Sequence, residues 1–148
     1  MIPNNPPKFV VDTNIVVSAV LFPKSVPRQA LDYAQNIGIV VVSASTLSEL
    51  QQVLSRSKFD RYVPFDERES FLQRLTNTTQ LIQVTESVEA CRDPKDNQYL
   101  ELAVSSQASA IITGDQDLLV LHPFRDIAIV TPQVFLDSLF ITNHDRPS

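Results

Sequence analysis

Five short apolar runs, separated by longer stretches with helical periodicity, constrain the fold of this chain more than any other feature. The runs are Lys8–Val11, Gly38–Val42, Gln80–Val84, Ala110–Thr113 and Ile127–Val130. Uninterrupted apolar runs of this length are typical of strands buried on both faces of a parallel sheet, whereas half-exposed strands alternate apolar with polar residues. We therefore predict a central parallel sheet.

The segments between these runs carry apolar residues at helical spacing. The predicted helices span Ser25–Asn36, Ala44–Leu54, Asp66–Asn77, Asp96–Gln107 and Pro132–Leu139. Ser43 is a good N-cap for the second helix, and Asp66 with Glu69 stands in capping-box register at the start of the third. Strands that alternate with helices indicate a sheet covered on both faces, so the predicted fold is a three-layer α/β/α sandwich. We expect one domain over residues 8–139, with residues 1–7 and 140–148 as flexible termini.

Composition narrows the class of protein. The chain has 148 residues and a single cysteine, Cys91, so no intrachain disulfide can form and a reducing compartment is expected. The first residues lack the basic and apolar regions of a signal peptide, and no run approaches the length of a membrane span. A soluble cytoplasmic protein with no membrane partner is therefore expected. The net charge of −5 argues against a protein that coats nucleic acid, so affinity for RNA or DNA would have to come from local basic clusters.

Acidic residues gather at one edge of the predicted sheet. Asp12 directly follows the first strand, Glu49 lies on the second turn of the helix after the second strand, and Asp96 begins the helix that leads into the fourth. Asp115 and Asp117 follow the fourth strand itself. Ligands of open parallel sheets collect outside the carboxyl ends of the strands. Clustered carboxylates beside apolar sequence are costly unless a cation neutralises them, and a divalent metal ion is the usual answer.

Asp12 and Glu49 each also have an ordinary structural explanation. Asp12 could simply cap the next helix, although it interrupts apolar sequence on both sides, and Thr13 and Asn14 could then orient its carboxylate or a bound water. Glu49 could be an exposed helix residue, although it flanks the apolar face beside Val53 rather than opposing it.

The remaining acids also have capping roles open to them. Asp93 is the expected N-cap of the helix that begins at Pro94, which leaves Asp96 either as a favourable first-turn acid or as a metal ligand on the inward stripe. One acid of the pair Asp115 and Asp117 is expected to cap a short helix. Two acids are more than capping requires, so Asp115 is favoured as the ligand and Asp117 as a supporting acid.

Other active-site chemistries lack essential residues. Only two glycines are present, which excludes a dinucleotide fingerprint and a phosphate-binding P-loop. His122 and His144 are too few, and too late in the chain, to form a zinc site with Cys91. A phosphoacceptor domain of the receiver or haloacid-dehalogenase kind would use a lysine late in the chain, but the last lysine is Lys95.

The motifs that carry these acids resemble those of the PIN domain family, in the same order along the chain. They are Val10-Val11-Asp12-Thr13-Asn14, Ser45-Thr46-Leu47-Ser48-Glu49-Leu50, Asp93-Pro94-Lys95-Asp96-Asn97 and Ile111-Ile112-Thr113-Gly114-Asp115-Gln116-Asp117. Each motif is weak alone, but together they are specific and extend over residues 8–139. The last two resemble the branch of VapC-like ribonucleases, the toxin components of toxin–antitoxin pairs.

This resemblance implies a ribonuclease site dependent on one or two Mg²⁺ or Mn²⁺ ions. It implies catalytic and metal-binding roles for Asp12, Glu49, Asp96 and Asp115, with Asp117 as an accessory ligand. Thr13, Asn14, Thr113 and Asp93 are the expected supporting residues. The family's chemistry implies hydrolysis of RNA by in-line attack of water, leaving a 5′-phosphate and a 3′-hydroxyl. The toxin branch further implies a cognate antitoxin protein as partner, and we expect a homodimer.

Local charge suggests where RNA would bind. Arg56, Lys58 and Arg61 follow the Glu49 helix, with Phe59 and Tyr62 interleaved, and positive charge with stackable rings suits single-stranded RNA. The same segment could instead be a dimer or antitoxin surface, or a helical hairpin with its aromatic residues in the core. The remaining predicted RNA contacts, beside the first loop, are Lys24 and Arg28.

Two further functions remain open. A PIN-like fold could be kept as a non-catalytic binding module, which would bind a partner tightly without metal-stimulated cleavage. Similar domains also work as RNA-processing nucleases without a toxin role.

Overall fold

The central sheet has five parallel strands, as predicted. A computed structural model gives the structure of residues 5–145 and describes side chains through residue 138. The strands are β1 Lys8–Val11, β2 Ile39–Val42, β3 Gln80–Leu81, β4 Ala110–Ile112 and β5 Ala128–Val130. Their order in the sheet is β3-β2-β1-β4-β5, and every pairing is parallel. The chain therefore adds β2 and β3 on one side of β1, then crosses the sheet and adds β4 and β5 on the other side.

Helices cover both faces of this sheet and complete the α/β/α sandwich. They are α1 Thr13–Leu21, α2 Val26–Ile37, α3 Ala44–Leu54, α4 Phe65–Thr78, α5 Asn97–Ser106, α6 Gln116–Leu119 and α7 Pro132–Asp145. None of the helices described within residues 5–145 is long and apolar enough to cross a membrane.

Successive residues of a strand pack into two separate hydrophobic cores, one on each face of the sheet. This explains the uninterrupted apolar runs. Phe9 of β1 belongs to the core beneath α1, α2, α3, α4 and α7, whereas Val10 belongs to the core beneath α5 and α6. Val40 and Val41 of β2 divide between the two cores in the same way. Side chains of a strand point alternately to opposite faces, so a sheet covered on both sides needs apolar residues at every position.

Helix α1 was not among the helices that apolar spacing predicted, and the sequence pointed to it only through the possible capping role of Asp12. Its segment, Thr13–Leu21, is rich in β-branched residues, and seven of its nine residues are buried. Because the helix is enclosed by the sheet and its neighbouring helices, it has no polar face and therefore no amphipathic period. Asp12 is its N-cap and fixes the start of the helix directly after β1.

Helix α3 begins as the sequence predicts and holds Glu49 in a defined place. The Ser43 hydroxyl accepts a hydrogen bond from the Thr46 amide at 3.1 Å, and the Thr46 hydroxyl accepts one from the Ser43 amide at 2.9 Å. This reciprocal capping box satisfies two amide groups that the first turn of a helix leaves without partners.

The capping box predicted for α4 at Asp66 and Glu69 is wrong. The helix begins at Phe65, its N-cap is Pro64, and no side chain caps it. Asp66 and Glu67 lie in the first turn, where their charges favour the helix dipole without accepting a capping hydrogen bond.

Arg68 of α4 is an unforeseen buried charge that fixes the loop after α3. Its guanidinium donates hydrogen bonds to the carbonyl oxygens of Leu54, Val63 and Arg56, and it pairs with Asp60 at 3.0 Å. Only 1% of the Arg68 side chain is exposed. A buried guanidinium needs such acceptors, and here they are the backbone of residues 54–63.

The third strand is shorter than the predicted run Gln80–Val84. Pairing with β2 ends when the Ile82 amide donates to the Val42 carbonyl at 2.8 Å, and the chain then continues without regular structure to Asp93. Three side chains spaced four residues apart on α5 accept hydrogen bonds from the backbone amides of this segment. Asn97 accepts from Ala90 and Cys91, Glu101 from Val88, and Ser105 from Thr85 and Glu86.

The last helix extends beyond its predicted end at Leu139 and reaches Asp145. Of the segments expected to be flexible termini, residues 1–4 and 146–148 lie outside the described part of the chain.

The order of the strands reverses between β1 and β4, and in open α/β sheets ligands bind at this switch point, outside the carboxyl ends of the strands. At the carboxyl ends of these two adjacent strands the chain places Asp12 and Thr113, and the Asp12 amide continues the pairing by donating to the Ile112 carbonyl at 3.0 Å. The sheet thus delivers two of the sequence-predicted site residues to one point.

We predict that Arg68→Met destabilises the protein by about 3 kcal/mol, because it leaves buried carbonyl groups without a donor. Urea denaturation would measure the change in the free energy of unfolding. Arg74→Met is the matched control on the same helix, since Arg74 is exposed, and it is expected to change stability by less than about 0.5 kcal/mol. Equal effects of the two substitutions would contradict the role given to Arg68.

Candidate functional site: an acidic cavity at the strand ends

Asp12 serves both as a helix cap and as a buried acid of the site. One carboxylate oxygen accepts a hydrogen bond from the Asn14 amide at 3.2 Å, and the other accepts one from the Thr113 hydroxyl at 2.7 Å. The residue is only 5% exposed. Burial is the main cause of a raised Asp12 pKa; the two hydrogen bonds oppose the rise, and the charges of Asp115 and Glu49 add to it. The capping role that the sequence allowed for Asp12 is therefore confirmed, and its role as a metal ligand stays a prediction.

Thr113 links the first and fourth motifs. Its side chain is fully buried, and while its hydroxyl donates to Asp12 it accepts a hydrogen bond from the Asp115 amide at 3.0 Å. Asp115 in turn caps α6, accepting a hydrogen bond from the Asp117 amide at 2.9 Å. Asp115 is thus the capping acid of the pair, and Asp117 lies in the first turn of the helix.

Three carboxylates lie close enough to share one cation. Oxygen atoms of Asp96, Asp115 and Asp117 all lie within 4.8 Å of one another, and all three residues are half-buried. Asp93 caps the 3-10 turn Pro94–Asp96 by accepting from the Lys95 amide at 3.0 Å, as predicted. That turn brings Asp96 up to the carboxyl end of β4.

The carboxylate of Asp96 is the group in this site that most needs a positively charged partner. Its Oδ2 atom is buried and has no hydrogen-bond partner among the residues that the structure describes. Burial, a proton-mediated contact with Asp115, and the charges of Asp115, Asp93 and Asp12 raise the pKa of Asp96 to about 7. Two ionised carboxylates cannot hydrogen-bond to each other, so the contact with Asp115 forms only when one of them holds a proton.

Glu49 is held by two residues that the sequence interpretation overlooked. The Tyr99 hydroxyl donates to one carboxylate oxygen of Glu49, and the Gln98 amide donates to the other at 3.0 Å. The Tyr99 oxygen also lies 2.8 Å from the Thr13 hydroxyl and accepts from the Thr13 amide at 3.3 Å. The phenol has a single proton, so when that proton goes to Glu49 the Thr13 hydroxyl donates to Tyr99.

Tyr99 connects α1, α3 and α5 beneath the site. It is 2% exposed, and its pKa is raised by burial, by the charge of Asp12 and by its bond to Glu49. The sequence offered one signal for it: a tyrosine on the inward stripe of a helix needs a hydrogen-bond partner for its hydroxyl. Which partner it finds depends on the tertiary structure.

Most of these side chains line one cavity of about 550 Å³. Its wall contains the predicted residues Asp12, Thr13, Asn14, Glu49, Arg56, Asp93, Asp96 and Asp115. It also contains residues that were not predicted, namely Ser45, Ser48, Gln52, Val53, Lys95, Gln98 and Tyr99. Asp117 and Thr113 do not line the cavity itself, but both contact its acids.

The predicted RNA-binding residues divide into two groups. Arg56 lines the cavity, whereas Lys24, Arg28, Lys58 and Arg61 do not. The Arg28 guanidinium donates to the Ala19 carbonyl, pairs with Asp32 at 3.3 Å and lies 4.9 Å from the centroid of the Phe71 ring. Its interactions are therefore internal. Lys95 is a second positive charge in the cavity wall, and the sequence analysis did not predict it as an RNA contact.

The residues of the cavity fit a divalent metal ion. Mg²⁺ and Mn²⁺ prefer carboxylate oxygens, and Asp96, Asp115 and Asp117 each supply one. The buried Oδ2 atom of Asp96, which has no described hydrogen-bond partner, also fits a metal ion. Asp12 and Glu49 line the same cavity, and each of their four carboxylate oxygens already accepts a hydrogen bond. Accepting one hydrogen bond still leaves a carboxylate oxygen a lone pair, so these oxygens can also bind a metal ion.

We predict that the metal-free protein loses stability as pH rises from 5 to 8. The folded-state pKa of Asp96 is raised, so folding favours its protonated form; this contribution is present at low pH and disappears as pH rises through about 7. We expect a loss of about 1–2 kcal/mol, less than the full pKa shift implies, because solvent screens the half-buried cluster.

Thermal melting in EDTA at both pH values would measure this effect. Asp96→Asn should flatten the pH dependence, whereas Asp66→Asn, at an exposed acid on α4, should leave it unchanged. If Asp96→Asn melts with the same pH dependence as the wild type, the proposed repulsion at Asp96 is absent.

Comparison with known proteins places the chain in a family. Residues 8–117 match the family model of the PIN domain. An uncharacterized protein of Methanocaldococcus jannaschii is 33% identical over 117 residues, which cover 78% of this chain and 75% of that protein.

Solved structures share the fold at low sequence identity. VapBC2 from Rickettsia felis, bound to a DNA fragment from its promoter, gives a TM-score of 0.58 at 15% identity and covers 82% of this chain and 96% of its own. DNA-bound VapBC from Salmonella typhimurium gives 0.57 at 14% identity, covering 85% and 98%. The RRP44 PIN domain of T. brucei gives 0.51 at 14% identity, covering 95% and 84%. The family model spans all four acidic motifs, and the chain belongs to the PIN domain family.

Proposed function

We propose that this protein is a metal-dependent endoribonuclease that hydrolyses phosphodiester bonds in the acidic cavity. The observation that carries the proposal is the cluster of Asp96, Asp115 and Asp117, whose oxygens lie within 4.8 Å of one another. One buried oxygen of Asp96 has no hydrogen-bond partner among the described residues. PIN domains are generally nucleases, and membership in the family supports the same conclusion.

Asp96, Asp115 and Asp117 would hold one Mg²⁺ or Mn²⁺ ion, and Asp12 and Glu49 would complete the site or hold a second ion. A bound divalent ion lowers the pKa of a water molecule and neutralises charge on a phosphoryl group. Thr113 keeps the Asp12 carboxylate in place, and Tyr99 and Gln98 do the same for Glu49. Side chains fixed in this way need no reorganisation when substrate arrives.

Arg56 and Lys95 supply positive charge at the rim of the cavity. A phosphodiester backbone that enters an acidic cavity meets repulsion, which these two residues and the metal would offset. Addition of water to the scissile phosphate would break its bond to the 3′ oxygen of the preceding nucleotide. The products would be a 3′-hydroxyl and a 5′-phosphate.

The likeness to the VapBC structures supports a more specific proposal, namely that the protein is the toxin of a toxin–antitoxin pair in the cytoplasm, with a cognate antitoxin and as a homodimer. The likeness to the RRP44 PIN domain leaves RNA processing as the second candidate. Growth arrest on expression of the wild type, absent for an inactive variant, would support the toxin role. Unimpaired growth with an active enzyme would favour RNA processing.

We predict that single-turnover assays on a mixed pool of single-stranded and structured RNA show cleavage with Mn²⁺ or Mg²⁺ and none with EDTA. Asp96→Asn should reduce the rate by at least about 100-fold, because it removes a ligand charge from the cluster. Asp66→Asn should cleave at the wild-type rate.

Equal cleavage by the wild type and Asp96→Asn would point to a contaminating nuclease or to a different site. No cleavage by either protein, together with no Mn²⁺ binding, would favour the non-catalytic binding module.

A further inference from the structure

Two exposed aromatic rings meet on the surface although their chain segments are far apart in sequence. Phe22 directly follows α1, and Tyr62 lies in the loop between α3 and α4. Their ring centroids are 5.7 Å apart at an interplanar angle of 71°, an edge-to-face arrangement. Phe22 is 47% exposed and Tyr62 is 52% exposed. A contiguous pair of large, half-exposed rings of this kind marks an interaction site more often than a single exposed apolar residue does.

Both segments lead directly from the acidic cavity to this pair. Helix α1 begins at Thr13, in the cavity wall, and its nine residues rise about 13 Å before Phe22. The second segment leaves the cavity wall at Arg56 and reaches Tyr62 six residues later. The length of α1 therefore places the aromatic pair within a few nucleotides' length of the cavity wall at Thr13.

Positive charge surrounds the pair although the whole chain has a net charge of −5. Lys24, Lys58 and Arg61 lie within four residues of one ring or the other, and none of them forms an ion pair with any residue that the structure describes. The Arg61 guanidinium lies 5.3 Å from the centroid of the Tyr62 ring. The acid in this segment, Asp60, is already paired with Arg68. The local surface is thus cationic and attracts phosphate groups.

Hydrogen bonds hold the loop that carries Tyr62 in one conformation. Arg68 bonds the backbone carbonyls of Arg56 and Val63, one at each side of the segment, and the Tyr62 amide donates to the Phe59 carbonyl at 3.0 Å. Phe59 packs against the core, so it is not part of the exposed pair. A surface held in its binding conformation loses less conformational entropy when a ligand binds.

We propose that Phe22 and Tyr62 form a stacking platform for the bases of single-stranded RNA whose backbone continues into the acidic cavity. The proposal rests on the ribonuclease function proposed above and adds a preference for unpaired substrate. Bases stack on aromatic rings and on arginine planes, and they can do so only when they are free of a duplex. The lysines favour RNA over a protein partner, because lysine is depleted in the cores of protein interfaces.

Binding can be tested without cleavage. The full-length protein would be titrated, in EDTA, into a fluorescein-labelled oligouridine of 12 nucleotides while fluorescence anisotropy is recorded. The same titration would use a chain of equal length with abasic riboses, which keeps the phosphates and removes the rings. We expect the abasic chain to bind at least about tenfold more weakly, since it has no bases to stack on the rings.

Substitutions would then assign the loss to the pair. Phe22→Ala and Tyr62→Ala should each weaken oligouridine binding about five- to tenfold and leave abasic binding unchanged, whereas Tyr62→Phe should retain wild-type affinity. Leu81→Ala is the matched control, since Leu81 is 65% exposed on the edge strand β3 and should not matter. Thermal melting would confirm that every variant is folded.

Unchanged oligouridine affinity in both alanine variants would overturn the platform, as would equal binding of the two oligonucleotides by the wild type. A changed sedimentation mass for Phe22→Ala or Tyr62→Ala, with unchanged RNA affinity, would also overturn it and assign the pair to a protein contact. The ribonuclease proposal fails by a separate result, the absence of metal-dependent cleavage by the wild type, which this binding assay does not measure.

Discussion

Repulsion among carboxylates at the carboxyl ends of β1 and β4 is the constraint on which the rest of this structure depends. The sheet places Asp12 and Asp115 after adjacent strands, the 3-10 turn adds Asp96, and α3 adds Glu49. Burial is the main cause of the raised pKa values of Asp12 and Asp96, and the charges of the neighbouring acids add to it. Without a cation, repulsion among these carboxylates destabilises the folded state. Burial of apolar side chains in the two cores has to offset that cost.

Uncharged hydrogen-bond donors orient the carboxylates of Asp12 and Glu49 but do not neutralise the negative charge of the cluster. Thr113 holds Asp12, while Tyr99 and Gln98 hold Glu49. None of these donors is charged, and Asp96 keeps a buried oxygen without any described partner. A purely structural network would be expected to satisfy that atom. The arrangement is therefore better explained as a site that a positive ligand completes.

Much of the fold was accessible from the sequence because its strongest signals are local. Uninterrupted apolar runs predicted all five strands, and the position of each acid relative to a run predicted the edge at which they meet. Helix α1 was missed for the opposite reason, since burial on all sides removes the periodicity by which a helix is recognised. The prediction of a capping box at Asp66 failed because the N-cap of α4 is Pro64, two residues before Asp66.

The missed residues of the site depend on contacts between distant parts of the chain. Tyr99 and Gln98 are ordinary helix residues until α5 lies beside α3, and Arg68 resembles a surface arginine until the loop after α3 folds over it. The partner of Tyr62 is equally hidden, because Phe22 is 40 residues away in sequence. Such pairings are set by the topology of the sheet and not by any local pattern.

Isothermal titration calorimetry of the metal-free protein with Mn²⁺ tests the central claim most directly. The account predicts binding of one or two ions to the wild type, with a loss of at least about tenfold in affinity for Asp115→Asn and no loss for Asp66→Asn. Failure of the wild type to bind Mn²⁺ at millimolar concentration, or equal binding by Asp115→Asn, would contradict the claim that these carboxylates form a metal site.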